Sequence, residues 1–316
     1  MTTWTPWAIG GAVALALFAD SARADEGQPA AAPPAPAASP GRASGTTTAP
    51  GLGTTPGLEV GQHFSLDPVL DGLVTASGFG FSFLLGEVLS TGEIRPPVPA
   101  VSASSLLPID RWAITQKIDP NAATYSNIGL YTALGFAVVD PILSGLRDGL
   151  DALIVDGFMY AESGSLALAV TDITKIGVRR PRPVDYINCA PTSSGTPSTN
   201  TACNSTDLGL SFFSGHAAGV AAVGATATYI AFVREPRTPR PWLTLGIAAA
   251  LTTFVSYERV RAGAHFPTDV VAGSMAGATI GALVPHLHRH RQEAPLVWVG
   301  LAPIRDGASV SLGGHF

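Results

Sequence analysis

The sequence predicts an all-α fold, a bundle of six apolar helices followed by a small C-terminal β-hairpin. Three observations carry this. Charged residues fill 13% of the 316 positions, against about 25% in an ordinary soluble domain. Mean hydropathy is +0.30. Apolar and small residues recur on helical spacing in 67–90, 123–148, 150–178, 215–233, 242–258 and 267–287. The length allows one or two domains with a sizeable core. Low charge with positive hydropathy excludes a disordered chain or a coiled coil. A net charge of −5 gives no basic footprint, so nucleic acid is not an expected partner. Two cysteines exclude a disulfide-dense scaffold and a four-cysteine zinc site.

Residues 1–24 read as an export signal. Ala8 to Ala19 is an apolar run of h-region length, and Ala22-Arg23-Ala24 is a small-x-small cleavage site. Met1 to Trp7 lacks the usual Lys or Arg, so an uncleaved anchor is the alternative. Residues 25–56 are a linker of Pro, Ala, Gly, Ser and Thr in which Leu52 is the only large apolar residue. Such a stretch cannot offset its ordering entropy. The body spans 57–290, and its segments 217–233 and 242–256 come closest to charge-free membrane spans. Gly273, Gly277 and Gly281 stand at i, i+4 and i+8, which lets helix backbones approach closely. A membrane bundle and a tightly packed soluble domain both fit that stripe. In 291–316, Leu296, Trp298, Val310 and Leu312 alternate around Asp306-Gly307, a hairpin signal.

Three clusters hold the unusual polar groups of the body. The first is Lys175-Ile-Gly-Val-Arg-Arg-Pro-Arg182-Pro183, where Pro181 and Pro183 stop a helix. Alone, its cations fit a helix C-terminus or a topology signal. The second is Phe213-Ser214-Gly215-His216 before an Ala-rich helix. Ser214 suits an N-cap, and the free N–H groups there suit an anion. The third runs Arg259 to Asp269, with Pro267 at the first helical position. There Asp269 can accept from one nitrogen of His265, fix its tautomer and leave the other nitrogen free to attack. Taken singly, each has a plain reading as capping or charge at a helix end. Taken together, each cluster sits at the boundary of an apolar helix, and one end of a bundle can gather all three. The assembled inventory is Lys175, Arg182 and Arg259, Ser214 and Gly215 at a helix N-terminus, and His216 with His265. It fits a tetrahedral oxyanion. No Asp/Glu pair stands beside these groups to hold magnesium, so no metal cofactor is expected.

These motifs resemble the type-2 phosphatidic acid phosphatase superfamily, which shares its site with vanadium haloperoxidases. The family pattern Lys-x6-Arg-Pro is met by Lys175 and Arg182-Pro183, Pro-Ser-Gly-His by Phe213 to His216, and Ser-Arg-x5-His-x3-Asp by Glu258-Arg259, His265 and Asp269. The six-helix layout matches as well, over about 67–290. Phe213 stands where the family has Pro, and Glu258 where it has Ser. Glu258 is expected to face away or to orient Arg179, Arg180 or Arg261. The resemblance implies phosphoester hydrolysis through a phosphohistidine. His265 is the nucleophile oriented by Asp269, His216 is the acid and base, and Lys175, Arg182, Ser214, Gly215 and Arg259 hold phosphate. Vanadate is expected as an inhibitor or substitute ligand. A phosphorylated lipid, an isoprenyl diphosphate or a soluble phosphomonoester is the expected substrate. A vanadate-dependent haloperoxidase and a non-catalytic anion-binding membrane protein are the alternatives.

Cys189 and Cys203 flank an exported polar loop and are expected to pair. If the N-terminus is exported and all six helices span, the first motif and this loop fall in the cytoplasm, against the disulfide. A non-spanning 67–90, which Asp71 and Glu87 make reasonable, removes the conflict. The expected location is therefore the inner membrane with the site facing the periplasm, or a soluble periplasmic domain. Asp148, Asp151, Asp156 and Glu162 favour the soluble case.

Overall fold

The computed structural model describes residues 58–60, 63–91, 103–189, 203, 205–289, 298–304 and 307–313. The export signal at 1–24, the linker at 25–56 and the Asp306-Gly307 turn start outside or at the edge of these residues. The elements are β1 (Leu58–Val60), β2 (Phe64–Leu66), α1 (Pro68–Ser90), α2 (Pro108–Arg111), α3 (Ala122–Asp148) and α4 (Leu150–Val178). Then follow α5 (Pro183–Asn188), α6 (Gly215–Arg234), α7 (Arg240–Arg261), α8 (Pro267–His288), β3 (Trp298–Ile304) and β4 (Gly307–Gly313). The fold is mostly helical. β1 pairs antiparallel with β2 and β3 with β4, Leu301 opposite Val310.

Local chemistry sets the helix starts. Asp67 caps α1 by accepting from the Val69 and Leu70 N–H groups at 3.0 and 3.1 Å. Proline opens the first turn of α1, α5, α7 and α8, where no intrahelical N–H bond is lost. That tolerance is why α7 begins at Arg240, before Pro241, rather than at 242. α7 also continues through Arg261, because the charges after Tyr257 interrupt hydropathy without interrupting the backbone.

Small residues set the packing. A Cβ on Gly273, Gly277 or Gly281 would meet the Ser214, Ala218 or Ala222 carbonyl oxygen at 2.5, 2.0 and 2.1 Å. The glycine stripe of α8 therefore lies directly on the backbone of α6, and the two helices run parallel. α1 also runs parallel to α4, since Gly72 lies beside Phe158 and Gly78 beside Ser165. α3 runs antiparallel to α4, with Gly145 against Leu153. The core is built from Val155, Met159, Val220, Val223, Ile230 and Val255, on the facing sides of α4, α6 and α7.

The outer surface of the bundle is apolar. Leu70, Leu73, Phe83 and Leu84 of α1, Leu146 of α3, and Met275 and Leu287 of α8 are all exposed, as expected of helices solvated by lipid. Five described helices are long and apolar enough to cross a membrane, beginning at Pro68, Ala122, Leu150, Gly215 and Pro267. α1 is among them, contrary to the expectation that it does not span. Asp71 points inward and is buried, so it leaves the outer face of α1 apolar. α7, expected among the better spans, is not among the five.

Of the four acidic residues that favoured a soluble domain, Asp156 and Glu162 are interior too. Asp156 takes both guanidinium NH2 groups of Arg234 at 2.6 Å. Asp140 accepts from Tyr160 and Arg240 at 2.9 and 3.0 Å. Only Asp148 and Asp151, at the α3–α4 turn, are exposed. The chain is membrane-associated by this architecture.

Candidate active site

One end of the bundle collects the C-termini of α4 and α7 with the N-termini of α6 and α8. α4 stops at Arg179, which adopts a left-handed conformation (φ 49°) and bonds the Lys175 carbonyl. Pro181 and Pro183 then turn the chain into α5. Ser214 is the N-cap of α6, and its hydroxyl accepts from the Ala217 N–H at 3.4 Å. The Ser214 N–H donates to the Asp269 carbonyl at 3.1 Å. That bond fastens the start of α6 to the start of α8.

His216, in the first turn of α6, and His265, just ahead of α8, come to the same place. Lys175, Arg182 and Arg259 act electrostatically on both imidazoles. Lys175, Arg182, Ser214, His216, His265 and Asp269 are all buried. Burial first, and then Arg182, Arg259 and Lys175, hold His265 well below the ordinary histidine pKa. It is therefore a neutral imidazole at neutral pH. Arg182 is braced by Asp207, through its carbonyl at 2.8 Å and its carboxylate at 2.6 Å. Arg259 reaches the Ser126 hydroxyl at 3.5 Å, and its buried Nε has no hydrogen-bond partner among the described residues. A guanidinium edge of this kind fits a carboxylate or phosphate oxygen that would complete its bonding.

The expected contact between Asp269 and His265 is not made. His265 Nδ1 lies 2.7 Å from the Ser211 carbonyl and 4.0 Å from the Asp269 carboxylate. A carbonyl can only accept, so Nδ1 carries the proton and Nε2 the lone pair. The tautomer is the one expected, and Ser211 sets it. Asp269 acts one bond further out. It accepts from the Ser211 hydroxyl at 2.5 Å, the Phe266 N–H at 2.8 Å and Arg180 at 2.5 Å. It is already committed as the cap of α8, which explains why it does not reach the imidazole.

Sequence reasoning missed several residues that hold the site. Arg180 spans Asp269 and Asp110, the latter at 2.8 Å, and lies 4.1 Å over the Phe266 ring. Asp110 is fully buried and also accepts from the Thr268 N–H and hydroxyl at 3.1 and 2.8 Å. His216 Nε2 meets the Asn127 side-chain oxygen at 2.8 Å. Asp110 and Asn127 lie on elements far upstream, and no local spacing connects them to the three motifs. Glu258 turns to Arg261 at 3.3 Å, one of the partners foreseen for it. Cys189 and Cys203 form a disulfide, with Cα atoms 5.6 Å apart, at this same end of the bundle.

Residues 157–293 match the PAP2 superfamily. Among solved structures, the chain is similar to a transmembrane PAP2-type phosphatidylglycerolphosphate phosphatase from Bacillus subtilis. The identity is 20%, the match covers 67% of this chain and 94% of that one, and the TM-score is 0.43. No curated protein matches.

Proposed function

Since residues 157–293 match the PAP2 superfamily, we propose that the protein is a phosphatase that hydrolyses phosphoesters without a metal. Nε2 of His265 attacks phosphorus in line with the ester oxygen. The P–N bond forms as the P–O bond breaks, and His216, in its imidazolium form, gives the proton of its other nitrogen to the leaving oxygen. Water then attacks the phosphohistidine and yields a proton to His216. The P–N bond breaks, releasing phosphate and neutral His265. Asn127 holds one nitrogen of His216, so the other serves the leaving group. Lys175, Arg182 and Arg259, with the Ser214 hydroxyl and Gly215 N–H, take the three equatorial oxygens. That electrostatic contribution is commonly the largest, and the acid–base contribution is worth about 10²–10⁴-fold.

The observation that carries this reading is the convergence of three cations, Lys175 and Arg182 buried among them, on two histidines, one of them held neutral with its Nε2 lone pair free. The substrate class is a lipid phosphate, an isoprenyl diphosphate or a soluble phosphomonoester. Purified protein in detergent with chelator present is expected to release phosphate from at least one class. Vanadate should inhibit it, and His265→Ala should abolish turnover. Full activity in His265→Ala, or no release from any class, refutes the proposal; vanadate-dependent halide oxidation would favour a haloperoxidase instead.

We further propose that the pocket and the disulfide face the extracytoplasmic side. Arg147, Arg234 and Arg240 lie at the other end of the bundle, in keeping with the positive-inside tendency. Because α1 is parallel to α4, the chain before Pro68 then enters from the cytoplasmic side.

A further inference from the structure

A second polar cluster lies at the far end of the bundle, with no part in the chemistry above. Asp71 in the first turn of α1, Glu162 in α4 and His288 at the end of α8 place one donor atom each within 4.8 Å of one another. His288 is about 28 Å along α8 from Asp269 at 1.5 Å per residue. The cluster is therefore separate from the phosphate pocket.

Its geometry is unlike a salt bridge. His288 Nδ1 lies 2.8 Å from the Val284 carbonyl, so Nδ1 carries a proton and Nε2 faces the carboxylates. Nε2 is 3.2 Å from Asp71 Oδ2 and 3.4 Å from Glu162 Oε2. A charge-assisted bond is shorter, about 2.7–2.9 Å, and one N–H shared between two oxygens would leave each of them only a weak bond. Glu162 Oε2 is buried and has no hydrogen bond among the described residues, while the Glu162 side chain is only 10% exposed. Asp71 Oδ2 accepts the Asp67 N–H at 2.8 Å and keeps a second lone pair. Ligand atoms on a tetrahedral ion with bonds near 2.0–2.1 Å stand about 3.3 Å apart. The two measured separations bracket that value. A ligand histidine typically donates its other N–H to a carbonyl or carboxylate, as His288 does.

We propose that Asp71, Glu162 and His288 bind one divalent transition-metal ion of the zinc class, with water in the fourth position. One imidazole and two carboxylates suit such an ion. The ion ties the start of α1 and the end of α8 to the middle of α4. Its role is structural, and the hydrolysis at the opposite end does not use it.

The test uses the untagged full chain in detergent, stripped with chelator and dialysed. Titration with zinc should show one tightly bound equivalent by calorimetry and elemental analysis, with a rise in melting temperature. Glu162→Gln, Asp71→Asn and His288→Gln should each weaken that equivalent at least roughly a hundredfold, the upper end of what even outer-shell changes cost. If wild type binds less than one equivalent and its melting is unmoved, the proposal fails whether or not the variants fold. It also fails if folded variants all keep wild-type binding.

Discussion

Gly277→Ala probes how helix packing positions His216 and His265. The added Cβ would stand 2.0 Å from the Ala218 carbonyl oxygen, 2.7 Å from its carbon and 2.8 Å from its Cα. All three obstacles are backbone, so no side chain can swing away. Relieving the clash moves α8 off α6 by about 1 Å. Overpacking of this kind costs about 1–3 kcal/mol, partly offset by about 0.5–1 kcal/mol from replacing a helical glycine. α6 carries His216 and the start of α8 carries Asp269, joined by the Ser214–Asp269 bond at 3.1 Å. A misplacement of about 1 Å in a catalytic constellation costs on the order of a hundredfold. Gly277→Ala should therefore lose about 1–2 kcal/mol of stability and about a hundredfold in kcat. Gly164→Ala is the control, because nothing lies within 4 Å of its new Cβ. It should be neutral or slightly stabilised. The assays are phosphate release from a soluble phosphomonoester and thermal unfolding in detergent. Wild-type turnover and melting in Gly277→Ala would refute the reasoning.

Asp110→Asn keeps the shape of a buried residue and removes its charge from Arg180. It should lower kcat about 10–100-fold, as loss of an outer-shell partner does, with KM little changed; an unaltered kcat would separate this network from His265. Burial and the neighbouring cations lower the folded pKa of His265, so the folded state favours the neutral ring. Its contribution to stability is fully present above the unfolded value of about 6.5 and falls by about 1.4 kcal/mol per pH unit below it, down to the folded pKa. Chemical unfolding at several pH values should show that acid-side slope, and replacing His265 by Gln should remove it. The proposed orientation predicts that a fluorescent reporter which matures only in the cytoplasm glows when fused after Phe316, since α8 ends opposite the pocket. A dark fusion at normal expression overturns that orientation.

Much of this protein was legible because its signals are local. Ser214 and Pro267 mark helix starts through backbone chemistry within a few residues. The glycine stripe announces a close helix contact by its period alone. Lys175, Arg182, His216, Arg259 and His265 stand at fixed offsets from helix ends, so their gathering follows from helix direction. What was not legible depends on partners distant in the chain. Asp269 is spaced to meet His265, yet it meets Ser211, Phe266 and Arg180. The acidic residues within α4 looked like marks of a soluble helix, but Asp156 is neutralised by Arg234, 78 positions away.

The sequence by itself determined the helical class, the helix boundaries to within a few residues and the identity of the groups suited to an oxyanion. Those properties follow from hydropathy, capping and steric limits that act over one or two turns. Only the tertiary structure decided that Ser211 orients His265, that Asp110 and Asn127 support the site, and that α1 lies parallel to α4. Each of these depends on which helix faces which and at what register. That outcome is set by close packing along the whole length of the bundle, where a single methyl group on α8 is enough to push two helices apart.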